Sequence, residues 1–235
     1  LKRYSMMGDT LSHSSFAGVA IGIVFGYNPI FTAFIFTSIA GLVIEFLRDY
    51  YKKYAELILV IILTLSVGIA IVLISTGKAS GNVNSYLFGS ILTVSKNELY
   101  TVFILSIISV ITLSILYNQL LYITFDENGA KVCKIKVKLI NYLFILLVGA
   151  TISVSLRILG ILVISSMIAM PVAASLQLHK GFKLTLIFSI LFGFLDIMGG
   201  LLLSYYINSA PGGTIALVSV LTLLVILGYK KLWNK

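Results

Sequence analysis

Apolar stretches of nearly uniform length dominate the chain, and short polar segments separate them. A transmembrane helix needs roughly 20 apolar residues. Runs of that kind fall at 10–27, 29–47, 57–76, 99–123, 139–156, 158–178, 184–207 and 212–229. They predict an all-α fold with about eight crossings. The division inside 139–178 follows from length, because one charge, Arg157, interrupts that stretch. As a single helix rising about 1.5 Å per residue it would be about 60 Å long, twice the hydrocarbon thickness. The stretch is therefore predicted to cross twice, turning near Ser155, Leu156 and Arg157.

Composition agrees with the pattern. Of 235 residues, 59% are hydrophobic and only 11% charged, too little charge to cover the surface of a soluble domain. The chain reads as one polytopic membrane domain over 1–235. The net charge of +9 is then a topology signal and implies no nucleic-acid partner. Lys2 and Arg3 precede the first run, and Arg48, Lys52 and Lys53 follow the second. Lys131, Lys134, Lys136 and Lys138 follow the fourth, Lys180 and Lys183 the sixth, and Lys230, Lys231 and Lys235 the eighth. With eight crossings all of these share one side, which the positive-inside rule makes the cytoplasm. Lys78, Lys96 and Arg157 are left on the other side. The single Cys133 excludes an internal disulfide framework and a cysteine-rich metal cage.

Against this apolar background the ionisable residues stand out, because such groups inside a membrane usually face a bundle interior or a polar cavity. Asp9 and His13 are four apart, so a helix stacks them on one face, where a carboxylate and an imidazole can reach one divalent cation. On the residues alone a second reading stands beside that one: Asp9 as a helix cap and His13 as a hydrogen-bonding group between helices. Ser14, Gly18, Gly22 and Gly26 form a small-residue ridge suited to close helix packing. Asp196 lies near the middle of the seventh run, either on an ion path or paired with Arg157 or a serine hydroxyl. Glu45 and Glu56 sit at run ends within reach of water. Pro171, inside the sixth run, is expected to kink its helix and free carbonyls.

Two connections carry more than a turn. The segment from Ser75 to Asn97 is rich in Ser, Gly and Asn and contains Tyr86–Leu92, too short to span; it is either an interfacial or re-entrant piece or a loosely packed loop. The connection 125–135 begins with acids and ends with bases, which suits a short helix. It reads as a cytoplasmic handle for a soluble partner or as a solvated linker.

No Gly-x-x-x-x-Gly-Lys-Ser/Thr sequence is present, so ATP is not bound in that way. An ion-conducting pore driven by a separate ATPase fits the combination. In Gly8-Asp9-Thr10-Leu11-Ser12-His13 with Gly18, Ser85–Leu92, Phe125-Asp126 with Ala130, Gly160–Val163, Pro171–Ala174 and Gly200–Tyr206, the chain resembles the permease subunits of bacterial zinc, manganese and iron ABC importers. This is the family of the zinc permease ZnuB and the manganese permease MntB. The likeness covers nearly the whole chain in order.

The resemblance implies the ABC importer permease fold in a bacterial cytoplasmic membrane, with one more helix upstream. It implies a homodimer on two cytoplasmic ATPase subunits, fed by an extracytoplasmic metal-binding protein. It implies a transport subunit, with no enzyme activity of its own and no permanent cofactor. The cargo would be a divalent ion, with a lean to zinc over manganese or iron. It matches Asp9 and His13 to the polar pair that contacts the metal. It matches 125–135, with Phe125, Asp126, Glu127 and Ala130, to the segment that docks on the ATPase. Relatives usually show a glycine where this chain has Cys133-Lys134-Ile135. Asp196 is a metal candidate by depth alone. Two rivals come from other classes. An intramembrane aspartyl protease would pair Asp9 with Asp196, but its Gly-x-Gly-Asp and Pro-Ala-Leu elements are not matched. An ion-coupled secondary transporter would show an inverted repeat, and no convincing one is found.

Overall fold

The computed structural model describes residues 2–51, 54–76, 83–89 and 94–233. Expectations placed on Lys52, Lys53, Lys78, Lys235 and the stretch 90–92 lie outside them. The described residues form helices and no strand: α1 (Lys2–Phe25), α2 (Pro29–Tyr50), α3 (Ala55–Ser75), α4 (Val83–Phe88), α5 (Lys96–Phe125), α6 (Glu127–Val132), α7 (Val137–Leu159), α8 (Ile161–Leu176), α9 (Phe182–Ile207) and α10 (Pro211–Trp233). Six of these, α2, α3, α5, α7, α9 and α10, are long and apolar enough to cross a membrane. That is fewer than the eight expected. α8 has 16 residues, and α1 is long enough but carries a polar series, Asp9, Thr10, Ser12, His13, Ser14 and Ser15.

The helix boundaries follow from local chemistry. α1 closes on Gly26, whose φ of 74° suits a residue without a Cβ. The Tyr27 N–H reaches back to the Gly22 carbonyl at 2.8 Å, satisfying an orphan acceptor at the helix end. Gly26 is thus a turn residue rather than the last rung of a packing ridge. Asn28 then caps α2, its side chain accepting from the N–H groups of Ile30 (3.0 Å) and Phe31 (3.3 Å). Pro29 fills the first helical position, where no N–H is needed. Ser95 and Glu98 form a reciprocal capping box at the start of α5. The break inside 139–178 falls at Gly160, not at Ser155–Arg157. Gly160 has φ 79°, whereas residues 155–157 carry side chains suited to continuing α7.

The chain forms two compact units. The first holds α1–α3 and α5–α7 as far as Arg157; the second holds α4 from Asn84 and everything from Ile158 onward. In the first unit α1 is the buried axis. A Cβ on Gly18 would stand 2.6 Å from the Ala33 Cα and 2.7 Å from the Thr32 carbonyl oxygen, so the α1 and α2 backbones meet there. Gly22 makes the same approach to Pro29 and Thr32. On the other side of α1, Ser14 and Ser66 of α3 share a hydroxyl hydrogen bond of 2.9 Å. The buried hydroxyls of Thr10, Ser12 and Ser14 donate to carbonyls four residues back, each at 2.9 Å, which is how a buried helix satisfies such groups.

α7 runs antiparallel to α2 in steps of four residues. Asn141 meets Glu45, the Ile145 side chain occupies the space beside Gly41, and Gly149 faces Thr37. Farther along, Ser153 meets Ser15 of α1 at 3.3 Å. α5 and α7 are joined by the Glu98–Arg157 ion pair at one end and by α6 at the other. In the second unit, Gly200 of α9 presses on the Ile215 backbone of α10, a Cβ there standing 2.5 Å from the Ile215 Cα. α8 runs through Pro171, whose buried ring faces Gly193 of α9. α4 is packed rather than a loose loop: Tyr86 is buried, and Gly89 (φ 77°) lies against the chain at Ile158–Gly160.

Candidate functional site

Asp9 and His13 lie on one face of α1, with Oδ1 and Nε2 3.8 Å apart. The helix begins at Lys2, so Asp9 sits well inside it and is no cap. Nothing in Lys2–Met7 breaks the helix before Gly8. The polar contact of His13 among the described residues is to Asp9, which does not support a bond to a neighbouring helix. Met7, Thr10, Leu11, Ser12, Ser14 and Ser15 around them are buried, yet the Asp9 and His13 side chains keep 41% and 32% of their surface. Packing therefore buries the residues on either side of this pair and leaves the pair itself partly open.

The pair is suited to a cation. Metal–ligand distances of about 2.0–2.2 Å at the tetrahedral angle set two donors roughly 3.3–3.6 Å apart, so a 3.8 Å gap accepts an ion with small rotamer changes. One carboxylate and one imidazole leave a four-coordinate ion unfilled. Among the described residues no group of three or more His, Cys, Asp and Glu comes together.

Asp196 has a different setting. Its side chain is 1% exposed on the face of α9 that also carries Gly200 and Ser204. It pairs with neither Arg157 nor a serine: Oδ1 accepts from the Thr222 hydroxyl of α10 at 2.6 Å. Oδ2 makes no hydrogen bond among the described residues. Arg157 is instead held by Glu98. Thr222 was not foreseen, because a threonine in an apolar run is common and only the α9–α10 register singles it out.

The segment 125–135 contains a six-residue helix, Glu127–Val132, as its charge order suggests. Asp126 caps α6 by accepting from the Gly129 N–H at 2.9 Å. Glu127 and Lys131 pair one turn apart at 2.7 Å. Ala130 is fully buried in a cluster with Ile123 of α5 and Val137 and Ile140 of α7. Phe125 and Val132 lie at 75% and 83% exposure, so α6 presents apolar and charged groups together. Lys134 takes φ 60°, the left-handed conformation in which a glycine is easiest.

A second polar group lies at the same end of the first unit. Glu45, buried on α2, accepts from the Asn141 side-chain amide at 2.6 Å, and Arg48 approaches its carboxylate at 3.3 Å. One turn on, Lys138 pairs with Asp49 at 2.7 Å. The sequence places Glu45 within reach of water, whereas the structure buries it; Asn141 and Asp49 carry no sequence expectation. Their place at the ends of facing apolar runs was the available signal.

A family model described as the ABC 3 transport family matches residues 1–230. A "Probable metal transport system membrane protein" of Treponema pallidum (strain Nichols) is 48% identical over 227 residues, covering 97% of this chain and 85% of that protein. The "High-affinity zinc uptake system membrane protein ZnuB" of Buchnera aphidicola subsp. Acyrthosiphon pisum (strain APS) is 30% identical over 220 residues, covering 93% and 84%. The "Manganese transport system membrane protein MntC" of Listeria monocytogenes serovar 1/2a is 28% identical over 221 residues, covering 94% and 79%. Among solved structures, "PsaBC from Streptococcus pneumoniae in complex with Fab" superposes with a TM-score of 0.80 at 26% identity, over 94% of this chain and 80% of that one.

Proposed function

Since the chain belongs to the ABC 3 transport family and is a multi-pass membrane permease of metal transport, we propose that it forms the ion path of an ATP-driven importer for a divalent transition metal. The observation that carries this reading is the partly exposed Asp9–His13 pair, 3.8 Å apart among the buried residues Met7, Thr10, Leu11, Ser12 and Ser14. The ion enters from an extracytoplasmic metal-binding protein and passes between two copies of the permease. Asp9 and His13 of each copy supply its transient ligands. Two copies together bring two carboxylates and two imidazoles, a donor set that suits zinc, manganese or iron(II) alike.

In this reading both units serve one permease domain in the bacterial cytoplasmic membrane. α1 and α8 cross as well, giving eight spans and placing α6 on the cytoplasmic side with the basic loops. α1 is about 36 Å long at 1.5 Å per residue, and its polar face is covered by neighbouring helices or by the ion path instead of lipid. A separate cytoplasmic ATPase supplies the energy and docks at α6, where Phe125, Asp126, Glu127 and Ala130 shape the contact. Asp196 stands off the ion path as a bond between α9 and α10, because its donor among the described residues is Thr222 and it is buried there.

The test is the double substitution Asp9→Ala with His13→Ala in a transporter reconstituted with its ATPase and metal-binding protein. Uptake of zinc, manganese and iron is measured side by side. Metal uptake is expected to vanish while the complex still assembles; unaltered uptake would remove both residues from the path.

A further inference from the structure

We infer that Glu45, Asp49, Lys138 and Asn141 form a clasp between α2 and α7 that carries the movement of α6 to the helix bearing Asp9 and His13. The inference rests on the proposed function, which makes α6 the place where the ATPase acts. All the parts lie in the first unit.

The chain of contacts starts at Ala130. This residue is fully buried between Ile123, Val137 and Ile140, and the Ile135 N–H bonds to its carbonyl at 3.0 Å. A close-packed cluster transmits displacement because it has no space in which to absorb it. A shift of α6 therefore reaches the first turn of α7. Lys138 and Asn141 stand in that same region, three apart and on one side of the helix. Opposite them on α2 are Asp49 and Glu45, four apart, bonded at 2.7 Å and 2.6 Å. From α2 the path to α1 is backbone against backbone, at Gly18 on Ala33 and Gly22 on Pro29. Leu11, between Asp9 and His13, is buried against Gly41 of α2.

The chemistry of the clasp favours transmission over mere adhesion. A buried carboxylate is costly unless its oxygens have donors, and Glu45 has them in Asn141 and Arg48. Apolar side chains would join two membrane helices at lower cost, but they slide. Directed hydrogen bonds fix the register of α7 on α2, so an axial push is transferred instead of lost. The four side chains are positioning residues; none of them touches the ion.

The experiment uses the whole transporter in proteoliposomes and reads metal uptake and ATP hydrolysis together. Asn141→Leu and Glu45→Gln are expected to keep hydrolysis while metal moved per ATP falls about tenfold. The Asp49–Lys138 pair supplies the control against misfolding, because its side chains are 37% and 70% exposed and such pairs contribute little to stability. Asp49→Lys and Lys138→Asp should each lower the ratio, and the two together should restore it. An unchanged ratio in all variants overturns the clasp. So does a parallel fall of uptake and hydrolysis in the exposed pair, or a swap that fails to rescue. A wild-type complex that hydrolyses ATP but moves no metal overturns the proposed function, and the clasp falls with it.

Discussion

Gly18 and Gly68 differ only in what surrounds them, and that difference predicts opposite effects of the same substitution. A methyl at Gly18 meets the Ala33 Cα and the Thr32 carbonyl, main-chain atoms that cannot rotate away. Gly18→Ala is expected to cost about 1–3 kcal/mol as overpacking, seen as a lower unfolding midpoint in detergent. At Gly68 nothing lies within 4 Å, so Gly68→Ala should leave the midpoint unchanged or raise it, alanine being the better helix former. The ridge at Ser14, Gly18 and Gly22 was legible because small residues recurred every four positions. Its end was not: Gly26 fits the same spacing, and only the turn into Asn28 shows its other use. Asp9 and His13 were legible for the same periodic reason. The partner of Asp196 was not, since it depends on how α9 meets α10.

At the scale of the element, α6 is the sharpest case. A six-residue helix lacks the length to stand by itself and depends on its cap and its seat. Asp126→Ala removes the acceptor of the Gly129 N–H, a loss of about 1 kcal/mol for an N-cap. Faster hydrogen exchange across Glu127–Val132 is expected, with Val137–Leu159 unaffected; unchanged exchange would show that the seat of Ala130 alone holds the helix. The charge order of 125–135 announced this helix because acids and bases sort by the helix dipole. The charge of Arg157 points to a break near 157, three residues before the one at Gly160. In fact Arg157 extends α7 to reach Glu98, and the positive φ of Gly160 ends it. Length and apolarity predict eight spans, and six of them form helices that meet that measure; α1 falls outside it with its polar face and α8 with its 16 residues.

At the scale of the molecule, the family match runs over residues 1–230, and in the proposed function the Asp9–His13 pair of one chain supplies only part of the ion's ligands. In the proposed reading a second copy brings its α1 close. With Cys133, the exposed free cysteine, changed to serine, His13→Cys is expected to give a disulfide-linked dimer on mild oxidation in membranes. A species that stays monomeric under those conditions would mean that the two pairs do not face each other.

The seam between Gly89 and Gly160 sets a limit on how this protein can be altered. A Cβ on Gly89 would stand 2.6 Å from the Ile158 carbonyl oxygen, and one on Gly160 2.6 Å from the Phe88 carbonyl carbon. Each glycine is obstructed by the main chain of the other strand of the seam, so trimming a neighbour's side chain creates no room. Variation at one position cannot be rescued by a change at the other, and both must stay glycine together. Engineering of the second unit is thereby confined to its helices, with this junction left untouched.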